Sequence, residues 1–193
     1  MPINGIIAST SHNEKPLIDG AHPAVIRAYA AAGGNGDLDA GLLMAKGADG
    51  KLIPYDPVAA VNLGTGDGSA TDFSGVLVGP AQPGSVSISD GTQTLTDDGY
   101  GSLGGDGSGS IDYATGQVSV SFGVAVADTV AVDVTYGNRL VGVNTQVTDA
   151  VIDTVVALLC HGCVYTASLV IAGGGQPNAA DLERLVGLSI YPV

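Results

Sequence analysis

IDTVVALLCHGCVYTASLVI, residues Ile152–Ile171, is the longest apolar run in the chain. It holds no Lys, Arg or Glu, and Cys160-His161-Gly162-Cys163 divides it into Thr154–Leu159 and Val164–Ile171. Each half has strand length and is dominated by Val, Leu and Ile, with Gly162 as punctuation between them. The stretch therefore predicts two adjacent strands, buried on at least one face, on the floor of a small β domain. A membrane helix needs about 20 apolar residues, a length this run approaches. Asp153, His161, Gly162, Thr166 and the many β-branched residues argue against one.

A chain of 193 residues accommodates one domain or two small ones. Aliphatic residues must supply the core, because Trp is absent and Phe73 and Phe122 are the only two phenylalanines. The 30 glycines favour many tight turns between short strands. The net charge of −13 argues against nucleic acid as a partner, since phosphate binding needs Lys and Arg to release counterions. An anionic membrane surface is disfavoured for the same reason. The opening MPINGIIASTSHNEKP lacks a basic segment followed by an apolar one, so no secretory signal is expected. Two cysteines make no disulfide framework, which suits synthesis in a reducing cytoplasm.

Outward from the central run, Met1–Ala21 has short apolar clusters among Pro2, Gly5, Pro16 and Gly20 but no sustained period. It reads equally as a frayed terminus or as an arm that orders on a partner. His22–Ala32 reads as extended or loosely helical. Leu42–Lys46 and Lys51–Tyr55 form a hairpin around Gly47-Ala48-Asp49-Gly50, whose Asp-Gly pair is a strong hairpin signal. Pro54 and Pro57 put its end at a sheet edge.

Composition breaks after Ala60. Residues 61–137 contain no Lys, Arg, Glu, His or Cys but hold nine Asp, so this segment carries −9 of the charge. Val118, Val120 and Phe122, and Val130, Val132, Val134 and Tyr136, alternate with polar residues between Gly/Asp/Ser turns. That pattern predicts an antiparallel β sandwich, apolar inside and polar outside, with the two Phe in its core. The flanks read as two halves of one discontinuous β scaffold, 22–60 and 138–193, with 61–137 inserted at a hairpin tip. Leu140–Val143 is a further strand. Asn178 caps one short helix near the C-terminus, with Asp181 in its first turn and Gly187 at its C-cap. Leu188–Val193 is an extended apolar tail.

Each motif that could carry chemistry has a plainer explanation. Cys160-His161-Gly162-Cys163 matches the C-x-x-C spacing of redox and zinc sites, but no second Cys pair completes a zinc site. Nor is there the βαβ setting of a redox motif, so buried inert thiols are expected. Gly99-Tyr100-Gly101-Ser102-Leu103-Gly104 matches G-x-G-x-x-G, yet no helix follows it. Asp97, Asp98, Asp106 and Asp112 lack a calcium-loop pattern and are expected to shape turns. No metal, cofactor or catalytic residue is expected, and nothing in the residues argues for an enzyme.

Taken in order, 39–46 (DAGLLMAK), 50–56 (GKLIPYD), 140–143 (LVGV), 159–164 (LCHGCV), the helix at 179–186 and 190–193 (IYPV) resemble the head decoration proteins of tailed bacteriophages, of the phage lambda head decoration type. KLIPYD and IYPV are the most specific parts, and about half the chain is covered. The resemblance implies a mainly β, β-clip-like scaffold with little helix. It also implies a homotrimer seated on three-fold positions of the outer capsid surface, bound to the major capsid protein and stabilising the expanded shell against internal DNA pressure. Residues 1–21 would then be the capsid-binding arm, with Ile3, Ile6, Ile7, Leu17 and Ile18 as its anchors. The insert, through 64–68 (GTGDG), 97–99 (DDG) and 111–116 (IDYATG), resembles β modules of phage virion proteins. An alternative is that the insert grips a host-surface ligand such as a glycan.

Overall fold

The computed structural model describes Leu17–Gly20 and His22–Val193. The protein is mainly β with one short C-terminal helix. The strands in chain order are β1 (Ile18–Asp19), β2 (Val25–Ala31), β3 (Gly36–Leu38), β4 (Leu43–Lys46), β5 (Leu52–Pro54), β6 (Ala59–Thr65), β7 (Asp72–Val76), β8 (Ser87–Ser89) and β9 (Thr94–Asp97). They continue with β10 (Ser102–Gly105), β11 (Gly107–Ile111), β12 (Gln117–Phe122), β13 (Ala131–Tyr136), β14 (Leu140–Asn144), β15 (Thr148–Ala150) and β16 (Thr154–Val164). The helix α1 (Ala179–Gly187) and β17 (Ile190–Pro192) end the chain.

The organising run departs from its expected shape. It holds one strand of 11 residues, not two strands, and Gly162 lies inside it. A register shift between Leu159 and His161, with φ +136° at Gly162, absorbs the bend without ending the strand. Before the bend β16 pairs with β2 and β14; beyond it β16 pairs with β1 and β17. Residues 165–171 are not a strand despite their apolar character. Thr166–Ser168 make a single 3-10 turn, and Leu169 drops fully buried into the core. Full burial of a Leu side chain stabilises by about 1.5–3 kcal/mol.

The ambiguous segment before Ala32 is extended, and β2 runs antiparallel along β16. The β4–β5 hairpin forms on its turn signal: Gly47 N–H donates to Lys51 O at 2.8 Å, and Gly50 takes φ +80°. A parallel contact of Ala31 with Leu52 links β2 to β5, so the path β16-β14-β4-β5-β2 returns to β16. The short pair β3–β15 has no sequence signal.

The acidic stretch forms a separate eight-stranded sheet, ordered β6-β13-β8-β9-β10-β11-β12-β7 and antiparallel throughout. The strands that come first and last in the chain, β6 and β13, are paired, with Ala59 opposite Tyr136. The sheet curls until β6 meets β7: a Cβ on Gly75 would lie 2.8 Å from Leu63 Cδ2. Val118, Val120 and Phe122 are buried, as are Val132, Val134 and Tyr136. Phe73 and Phe122 meet edge to face at 6.1 Å. This core is distinct from the two clusters beneath the other sheet.

The helix begins as its sequence predicts. Asn178 and Asp181 form a reciprocal capping box, which satisfies two otherwise orphaned N–H groups. Its end differs. Gly187 stays helical and Leu188 is the C-cap, while Ser189 adopts the left-handed conformation at φ +64°. Ser189 thus does the job expected of Gly187, and β17 then docks in parallel on β16.

Candidate interaction surface

β2 is the least protected strand. Val25–Ala30 are all exposed, and only Ala31 is buried. One edge pairs with β16; the other meets β5 only at Ala31, so among the described residues the rest of that edge has no strand partner. The register puts Ile26, Ala28 and Ala30 opposite Leu159, Ala157 and Val155, on one face of the two-stranded ribbon. Ile26 is 47% exposed and Val155 62%. Val151 and Ile152, leading into β16, are exposed as well. Arg27 is the only charge in β2. Soluble proteins usually guard such an edge with Pro, Lys or a covering loop, so a long apolar edge is a template for another strand.

Aromatic and imidazole rings gather at the far end of β2. His22 and His161 meet edge to face at 4.8 Å, and Tyr191 from β17 lies 6.0 Å from His22. Cys163 pairs in register with Asp19 and Tyr191, whereas Cys160 Sγ is 4.0 Å from the Tyr29 hydroxyl. Both thiols are free, and they are half-buried, not buried as the sequence suggests, because the outer part of β16 is only partly covered. Among the described residues no three His, Cys, Asp or Glu side chains gather as a metal site would require.

Of the expected arm anchors, Ile3, Ile6 and Ile7 lie outside the described residues. Leu17 and Ile18 pack partly buried against the core beneath β16, and Ile18 pairs with Val164. Both are thus committed to the protein's own sheet.

Asp67, Asp90, Asp97, Asp98 and Asp112 shape turns, whereas Asp106, expected to do the same, accepts from Thr94 N–H on the neighbouring strand. Asp67 accepts from Ser69 N–H and Ala70 N–H, and Asp112 from Ala114 N–H. These bonds hold both carboxyls below their usual range. Asp90 is nearly buried; burial alone would raise its pKa, but Gln93 and Thr92, through backbone and side chain, outweigh it and bring it to about 2. The G-x-G-x-x-G stretch spans the β9–β10 turn, with Tyr100 93% exposed at its tip. Nearby, Tyr113 donates to Asp97; burial first, then that bond, raises its hydroxyl to about 12.

A network that sequence reasoning missed ties the hairpin to α1. The Tyr55 hydroxyl, fully buried, donates to Asp181 Oδ1 at 2.6 Å and accepts from Arg184 Nη1 at 2.7 Å. Arg184 also donates to Asp181 at 2.9 Å. Burial, then the Asp181 carboxylate, pushes the Tyr55 hydroxyl far above its ordinary pKa. The Tyr in KLIPYD and the Asp of the capping box were its only traces in the sequence.

No protein-family model matches the chain, and neither a curated protein nor a solved structure matches it.

Proposed function

We propose that this is a structural virion protein: a homotrimer bound to the outer surface of a phage capsid at three-fold positions, where it stabilises the expanded shell. The observation that carries this is the apolar edge of β2, which has no strand partner beyond Ala31 among the described residues, beside the exposed face of Ile26, Ala28, Ala30 and Val155. Such an edge offers main-chain hydrogen bonds and apolar contact to another protein surface, which suits adhesion and not turnover. Residues 1–16 precede β1 and supply Ile3, Ile6 and Ile7 as anchors on the major capsid protein, while Leu17 and Ile18 fix the arm's root to the scaffold. Three such arms on one trimer act together through effective concentration.

Sedimentation velocity tests this first. A species of three times 19.0 kDa is expected, and a monomer at micromolar concentration would overturn the trimer. Mixing with expanded, undecorated shells of the same phage tests the second part. Full-length protein should saturate the three-fold positions, and a chain lacking residues 1–16 should remain trimeric but fail to bind. Shell binding that survives this deletion would remove the arm from the mechanism.

A second role is favoured by Tyr100, a ring exposed at the tip of a hairpin in the acidic sheet. It offers a face on which a host-surface sugar stacks. A glycan array probed with the protein and with Tyr100→Ala checks this, and silence from both would dispose of it.

A further inference from the structure

Positive charge is scarce in this chain, at six Lys and Arg against 19 Asp and Glu, and three of the six line one pair of adjoining hollows. A groove of about 570 Å³ lies where the two sheets meet, lined by Lys46 and Arg139. An adjoining hollow of about 260 Å³ shares Arg139 and Leu188 with it and adds Arg184. No Asp or Glu lines either. Arg184 is engaged with Tyr55 and Asp181, and Lys51, outside the groove, pairs with Asp153 and Asp49. The side chains of Lys46 and Arg139 are exposed and have no hydrogen-bond or ion-pair partner among the described residues.

The groove is built on fixed backbone. Arg139 N–H donates to Pro80 O at 2.9 Å, and Ala81 bridges Asn138. Gly79, at φ +112°, approaches so closely that a Cβ there would sit 2.7 Å from Lys46 O. The backbone beneath both cations is therefore fixed, with Lys46 at the end of β4 and Arg139 beside it, immediately before the paired strand β14. Like charges on one concave wall also raise the local potential that an anion meets.

We infer that this junction groove binds an extended acidic segment of a partner protein, with its carboxylates on Lys46 and Arg139 and its apolar side chains against Pro80, Val141 and Leu188. The wall chemistry selects a peptide. Those walls are aliphatic and present no aromatic ring for a sugar to stack on. A long polyanion would meet the repulsion of a chain at −13. Arg139 is able to take a carboxylate in a bidentate pair, and Lys46 supplies a second point charge.

Fluorescence anisotropy with a short rhodamine-labelled peptide of alternating glutamate and leucine tests this on the full-length protein. Saturable binding that weakens with salt is expected, with a loss of about tenfold or more in both Lys46→Ala and Arg139→Ala. Lys51→Ala removes the same charge from outside the groove and should change affinity by less than about twofold. An equal loss in Lys51→Ala would reduce the effect to net charge, and absence of binding to the wild type would end the proposal. Displacement of the peptide by a sulfated or sialylated oligosaccharide at lower concentration would reassign the groove to glycans. None of these outcomes depends on the oligomeric state or on shell binding.

Discussion

Tyr55 shows how one side chain joins distant parts of the chain. Its hydroxyl links Asp181 and Arg184 across more than 120 residues of sequence, inside the core that also holds Leu43 and Leu185. Tyr55→Phe keeps the ring packing but leaves both partners short of a hydrogen bond, at a cost of about 1–2 kcal/mol. The check is a lower urea midpoint at an unchanged slope. Asp90 makes a prediction of its own. Its folded pKa lies near 2, below the ordinary carboxyl value of about 3.9. Its contribution is complete above the unfolded pKa and is lost as the pH falls through the folded one. The acidic sheet should therefore weaken between about pH 4 and pH 2, and Asp90→Asn should flatten that part of the acid-unfolding curve. A curve unchanged by the substitution would assign the acid sensitivity to other groups.

Among the elements, β16 organises its sheet because it changes partners along its length. The passage from β2 and β14 to β1 and β17 turns on Gly162. Its φ of +136° is a conformation L side chains rarely adopt, and a Cβ there would lie 3.2 Å from Ala24 Cα. Gly162→Ala should cost about 1–3 kcal/mol, and hydrogen exchange should quicken at β1 and β17 before it does in the acidic sheet. Uniform loss of protection across both sheets would contradict this partition. In the sequence the same glycine between two apolar runs signals a strand end. Only the neighbouring strands show that the chain passes through it. β2 is legible only in part: its sequence offers an extended or loosely helical segment, and nothing in Val25-Ile26 or Ala28–Ala31 signals that six of its seven residues are exposed.

On the scale of the whole molecule, two sheets with separate cores meet through close backbone contacts at Gly79, Pro80 and Asn138. The pairing of Ala59 with Tyr136 brings the ends of the acidic sheet together, so excision is a fair test of its independence. Residues 59–137 expressed alone should unfold cooperatively with dispersed amide resonances; a collapsed spectrum would make the two sheets one folding unit. The sequence alone determined what short-range chemistry controls. It settled the β4–β5 turn, the capping box of α1, the turn-forming aspartates and the inward alternation of β12 and β13, because each is encoded within a few neighbouring residues. The tertiary structure decided the continuity of β16, the exposure of β2, the Tyr55–Asp181–Arg184 network and the cationic groove. Each of these is made by side chains or strand edges far apart in the chain, and an apolar pattern carries no record of which neighbour, if any, will cover it.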